Sequence, residues 1–145
     1  MTLPATCSPT GTDPDSTPID LANGLIGLPD LTRLELIQHP DTWPFVTLRS
    51  PSPGGLQFLA IVPNDFIPGY VIELNDIDTE CLGLTRSEDA QVLNIVTIHS
   101  HEPQFVTANL IGPVVINRRT RAARQVIIAN SQDYSPRHVL VDERN

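Results

Sequence analysis

Three groups of residues in this chain have types and spacing that could do chemistry. His99, His101 and Glu102 form the first. In an extended backbone, positions i and i+2 share a face, so two imidazoles could meet one ion. A closed zinc site takes four ligands and a catalytic one takes three plus water. His39 and His138 are the only other histidines, and nothing in their spacing brings them near. With Ser100 and Pro103 alongside, the group reads as a surface turn after a strand, and no metal is expected. Nucleophilic catalysis needs a serine or cysteine on a sharp turn with a base beside it. The chain has no Gly-x-Ser-x-Gly elbow, and Gly54-Gly55 lacks the lysine and following helix of a phosphate loop. No cofactor pattern is visible, and the expectation is that the chain is not an enzyme.

The other two groups are charged, and their signs are segregated. Glu73, Asp76, Asp78, Glu80, Glu88 and Asp89 lie within seventeen residues that hold one base, Arg86. Arg118, Arg119, Arg121 and Arg124 follow later with no acid among them. The acids read either as a solvated face or as a docking surface for a basic partner. The arginines read either as a polar hairpin tip or as a nucleic-acid contact. No aromatic residues interleave with them to stack on bases. The net charge of −8 opposes nucleic-acid binding by the chain as a whole.

The elements that must carry these groups are short. Residues 1 to 18 are rich in Thr, Pro, Ser and Asp without periodicity and read as a disordered tail; 19 to 145 form the folded domain. Leu34 and Leu36 alternate with Arg33 and Glu35, the period of a half-buried strand. Phe45 to Arg49 is a second strand, ended by Ser50-Pro51-Ser52-Pro53-Gly54-Gly55. The apolar run up to Val62 suits a strand covered on both faces, followed by a turn at Pro63-Asn64-Asp65. Tyr70, Ile72 and Leu74 then share one side.

Asn75 fits a helix N-cap, with Asp76 and Asp78 where the dipole favours acids and Gly83 as the stop. Thr85 and Glu88 fit a capping box for a second short turn. Gln91 to Ile98 is a strand. Phe105 to Leu110 alternates, with Val106, Ala108 and Leu110 on one face and Phe105, Thr107 and Asn109 on the other. Gly112-Pro113 breaks the run, and Val114 to Ile116 with Ala123 to Ala129 make the best hairpin. His138 to Val141 adds an edge strand. About ten short strands with one or two helical turns predict an all-β fold, a small antiparallel barrel or a barrel-like sandwich.

No apolar run approaches the roughly 20 residues of a membrane helix, and residue 1 onward offers no basic start with an apolar run behind it. Of two cysteines, Cys7 falls in the expected tail and Cys81 in the acidic helix. A structural disulfide is therefore not expected, and a reducing cytoplasm is.

One set of segments is similar to a known family. Asn23-Gly24-Leu25-Ile26-Gly27-Leu28-Pro29-Asp30, Phe45, Leu48, Val62-Pro63, Pro68-Gly69-Tyr70, Glu73-Leu74, Leu82-Gly83-Leu84, Val96-Thr97-Ile98 and Thr107-Ala108-Asn109-Leu110 through Pro113 to Ile116-Asn117 occur in order. In these the chain resembles the flagellar assembly factor FliW family of bacteria. The resemblance implies a small β-barrel without enzymatic activity that engages two partners alternately. These are flagellin and CsrA, a basic RNA-binding regulator that represses flagellin translation.

The resemblance also implies an opening strand before Asn23, where this chain has its Pro/Thr-rich segment. Joined to the charge pattern, it assigns Tyr70, Glu73, Asp76 and Asp78 to the CsrA-facing surface, where carboxylates would also repel RNA. It makes Thr107, Asn109, Pro113 and Asn117 a structural signature at a bend and turn. The alternative is a nucleic-acid-binding barrel using the Arg118 to Arg124 hairpin.

Overall fold

Alternating and apolar runs become strands that wrap into a closed ring. The computed structural model describes residues 1–4, 15–52, 54–63 and 66–144. Residues 5–14, which hold Cys7 and most of the expected tail, lie outside that set, as do Pro53 and Asn64-Asp65 of two expected turns. Among the described residues there are eleven strands: β1 (Thr2–Pro4), β2 (Asp15–Leu21), β3 (Arg33–Gln38), β4 (Phe45–Arg49), β5 (Gln57–Ile61), β6 (Val71–Glu73), β7 (Ala90–His101), β8 (Gln104–Ala108), β9 (Val114–Asn117), β10 (Ala122–Gln125) and β11 (His138–Asp142). One α-helix, α1 (Asp76–Leu82), lies between β6 and β7.

Seven strands close the barrel in the order β7-β5-β4-β3-β2-β10-β9 and back to β7. Six of the seven seams are antiparallel, and β2 with β10 is parallel, through Ala122↔Asp20 and Ala123↔Leu21. The expected small barrel is present, and its one parallel seam has a geometric reason: a closed ring with an odd number of strands cannot reverse direction at every seam. β7 is long enough to serve twice. Its first residues, Ala90 to Leu93, pair with β9, and Val96 to His101 pair with β8, which carries β11 as an edge. β1 and β6 form a separate antiparallel pair.

Two apolar cores follow from the side-chain alternation. Ile19, Leu21, Leu34, Leu36, Val46, Leu48, Leu93 and Ile116 fill the barrel. Leu3, Ile61, Ile72, Leu82, Val92, Val115 and Ile128 pack outside its wall, under β1, β6 and α1. Strands in the shared wall are therefore covered twice. In β5, Ile61 faces the outer core and Ala60 the inner one. The same holds in β9, where Val115 faces outward between Val114 and Ile116.

Three other expectations change. Thr2–Pro4 and Asp15 to Pro18, assigned to a tail, are in strands: Leu3 is buried, and Ser16, Thr17 and Pro18 pair with β3. A polar segment can join a sheet through its backbone while only Ile19 and Leu21 reach the core. The implied opening strand before Asn23 is thus present as β2. Thr85 caps nothing: the short turn is a 3-10 helix over Ser87–Asp89, preceded by Arg86 without a side-chain cap. His99, Ser100 and His101 belong to β7 rather than to a loop, because β8 supplies partners as far as His101↔Gln104.

Candidate protein-docking surface

α1 is only seven residues long, and an isolated helix of that length does not persist in water. Contacts at four places hold it. Asn75 Oδ1 accepts from the Asp78 amide at 2.8 Å, the N-cap geometry. Gly83 takes φ 63° at the other end, and the amides of Gly83 and Leu84 reach back to Glu80 and Thr79. Asn117, at the end of β9, donates through Nδ2 to the carbonyls of Leu82 at 2.8 Å and Gly83 at 3.3 Å. Arg124 of β10 donates through Nε to Asp78 Oδ1 at 2.7 Å and through Nη1 to Asn23 Oδ1 at 3.1 Å.

So fixed, α1 presents Asp76, Ile77 and Glu80 to solvent, and Glu73 is exposed just before it at the end of β6. Glu73, Asp76 and Glu80 have no ion pair among the described residues. The other two residues expected on this face point inward. Asp78 is 6% exposed and paired with Arg124. Tyr70 is 3% exposed. Its hydroxyl donates to the Leu110 carbonyl and accepts from Asn94 Nδ2 at 3.0 Å, and its ring meets Tyr134 edge-on at 4.9 Å. Burial pushes the phenol pKa well above its ordinary value. Of the four residues expected on a partner-facing surface, Glu73 and Asp76 are exposed, whereas Tyr70 and Asp78 are buried in contacts that hold the fold.

The charge segregation in the sequence is largely undone in space. Besides the Arg124–Asp78 pair, Arg119 Nε lies 3.1 Å from Asp89 Oδ2, at ion-pair distance though without hydrogen-bond alignment. The Arg118 amide donates to the Asp89 carbonyl at 2.7 Å. Arg121 adopts φ 69°, and its carbonyl accepts from the Asp20 amide. The arginine turn therefore lies against the acidic segment rather than projecting alone as a cationic tip.

The signature residues are also structural in their contacts. Asn109 Oδ1 accepts from the amides of Ile111 and Gly112 at 3.1 and 3.0 Å, closing the bend. Asn117 Oδ1 accepts from the Arg119 amide at 3.0 Å. Thr107 is buried and shares a 2.8 Å hydrogen bond with His99 Nε2, with the donor set by the imidazole tautomer. Pro113 is buried at the bend, and its carbonyl accepts from Val126. No group of three or more His, Cys, Asp or Glu side chains converges among the described residues. No helix among them is long and apolar enough to cross a membrane.

Sequence reasoning missed Gln125. Its Oε1 accepts from the Ile26 amide at 2.9 Å and its Nε2 donates to the Gly112 carbonyl at 3.0 Å, joining the β2–β3 loop to the bend before β9. It also missed the exposure of Ile26, Leu28 and Leu56. The one available signal was that Ile26 and Leu28 are large apolar residues within a Gly/Pro-marked turn.

Fold and surface together define a class: a closed seven-stranded barrel with a short acidic helix clamped to its outer wall. The profile described as FliW protein matches residues 6–140. A flagellar assembly factor FliW from Natranaerobius thermophilus is 34% identical over 126 residues, covering 87% of this chain and 83% of that protein. One from Magnetococcus marinus is 33% identical over 125 residues, covering 86% and 75%. A crystal structure of the flagellar assembly factor FliW superposes with a TM-score of 0.78 at 32% identity, covering 88% of each chain. The chain belongs to the FliW family.

Proposed function

We propose that this protein is a cytoplasmic, non-enzymatic flagellar assembly factor that switches between two protein partners. It binds a CsrA-type regulator, lifting repression of flagellin translation, and flagellin takes it away again. Membership of the FliW family supports the assembly role. The observation that carries the docking assignment is the outward set Glu73, Asp76 and Glu80, which has no ion pair among the described residues while the neighbouring acids Asp78, Glu88 and Asp89 are paired. Carboxylates so placed attract a basic surface and repel RNA phosphates near it. Tyr70 and Asp78 contribute by fixing β6 and α1 rather than by touching the partner. The nucleic-acid alternative loses ground because Arg119 and Arg124 sit against acids.

The test is Glu73→Lys with Asp76→Lys, both exposed, leaving Asp78 untouched because its reversal would break the pair with Arg124. Titration calorimetry with purified CsrA should show at least a tenfold loss of affinity and a flatter dependence on salt. Unchanged affinity and salt dependence would sink the assignment. Adding flagellin to the unaltered complex on a sizing column should release CsrA.

A further inference from the structure

Beyond α1, the loop from Ala22 to Thr32 carries an apolar ledge beside Leu56. Ile26 is 57% exposed, Leu56 51% and Leu28 36%. Leu28 and Leu56 line an open groove of about 380 Å³ with Gly27, Pro29, Asp30 and Leu31. The loop that presents this ledge is built, not slack. Leu25 and Leu28 exchange both backbone hydrogen bonds, at 3.1 and 2.8 Å. A Cβ on Gly24 would collide with the Leu28 carbonyl oxygen, so the close turn requires glycine there. Gln125 holds the Ile26 amide and Arg124 holds Asn23.

Arg124 also ties this loop to the acidic helix. Arg124 bridges Asn23 to Asp78 of α1, and the Ala129 amide donates to the Glu73 carbonyl at 2.7 Å. Ile77 on α1 and Ile127 beside β10 are 67% and 52% exposed. Clustered exposed aliphatic side chains on a preorganised loop mark a place where another surface sits.

We infer that the ledge of Ile26, Leu28 and Leu56 is the apolar half of one docking surface whose acidic half is Glu73, Asp76 and Glu80. The occupant is a segment of a partner protein carrying aliphatic side chains flanked by lysine or arginine. The acids define the basic part: Asp30 lines the groove, and Arg124, which joins the loop to α1, is already paired with Asp78. The inference rests on the docking reading above and extends it from the helix to the β2–β3 loop.

The test uses Ile26→Ser with Leu56→Ser, and Leu56→Ser alone as a milder variant, each with purified CsrA as the probe. Thermal unfolding checks that the fold is kept. The double variant should bind at least tenfold more weakly with an unchanged salt dependence, whereas the Glu73→Lys, Asp76→Lys variant alters both. Wild-type affinity in a folded double variant, with the acid reversal still effective, overturns this inference and leaves the docking reading standing. Absence of CsrA binding by the unaltered protein overturns both. If sedimentation shows that the ledge variants abolish self-association while binding CsrA normally, the occupant is a second copy of this chain and the partner assignment is wrong.

Discussion

Arg124 and Asp78 do at residue scale what no local signal announces. Asp78 reads as one more acid in a helix's first turn, and its burial comes from a partner 46 residues away on β10. Such a pair is invisible to periodicity, so the docking role expected of Asp78 had no local feature against it. Tyr70 is different. Its alternation with Ile72 and Leu74 placed it on the buried side, where the structure has it. Removing one partner of a largely buried pair leaves the other charge uncompensated. Asp78→Asn should therefore cost about 1–3 kcal/mol in a urea titration. A loss below about 0.5 kcal/mol would mean the pair behaves as an exposed one.

Among the elements, most strands were legible because one apolar face leaves a two-residue period in the sequence. β1 and the start of β2 were not. Their polar and proline-rich sequence enters the sheet by backbone pairing, with Leu3 as the only core side chain of β1 that is described. The end of β7 was hidden for a related reason, since Ser100 and His101 pair with β8 beyond a register shift at His99, on a flap with little apolar content.

The β2–β10 seam is the shortest run of paired residues in the barrel apart from β5–β7, with two pairs each. Gln125 laces the loop at its end. Gln125→Ala deletes two side-chain hydrogen bonds, together worth about 1–3 kcal/mol. In hydrogen exchange, the Ile26 and Asp20 amides, held by Gln125 and the Arg121 carbonyl, should lose protection ahead of β3 and β4. Uniform exchange across these strands would show that the lacing is not what holds the seam.

At the scale of the whole molecule, barrel closure could not be read from strand count alone, which left sandwich and barrel both open. It depends on β7 pairing on both of its edges at different points along its length. Stability against pH is also a property of the whole fold. Glu35 is held below the ordinary carboxylate range by hydrogen bonds from Ser16 and Arg49. Glu88 is lowered chiefly by Arg86, and Asp142 by Arg144. A lowered folded pKa contributes stability that is present above the unfolded value, about 4, and lost as pH falls through the folded one. Glu88 and Asp142 are exposed and Glu35 is half-buried at the surface, so that loss should be shallow.

Tyr70 works in the opposite sense. Its raised pKa contributes fully below about pH 10 and is lost as pH rises beyond it. Calorimetric melting temperatures should form a plateau between these limits, with a fall on the alkaline side that Tyr70→Phe makes shallower. An alkaline fall identical in the variant would remove Tyr70 from that account.

The one parallel seam also constrains how the chain can be made. Asp20 and Leu21 wait for Ala122 and Ala123, about a hundred residues later. Loop-closure entropy is spent on that contact before it returns anything. As the chain leaves the ribosome, β2 to β5 can assemble as a curled open sheet, but the outer edge of β2 stays unpaired until β10 emerges. During that interval the newborn protein offers a free strand edge, the feature most prone to pairing with the wrong neighbour. The barrel is therefore sealed nearly last, and the arginine turn that leads into β10 arrives together with the strand that closes it.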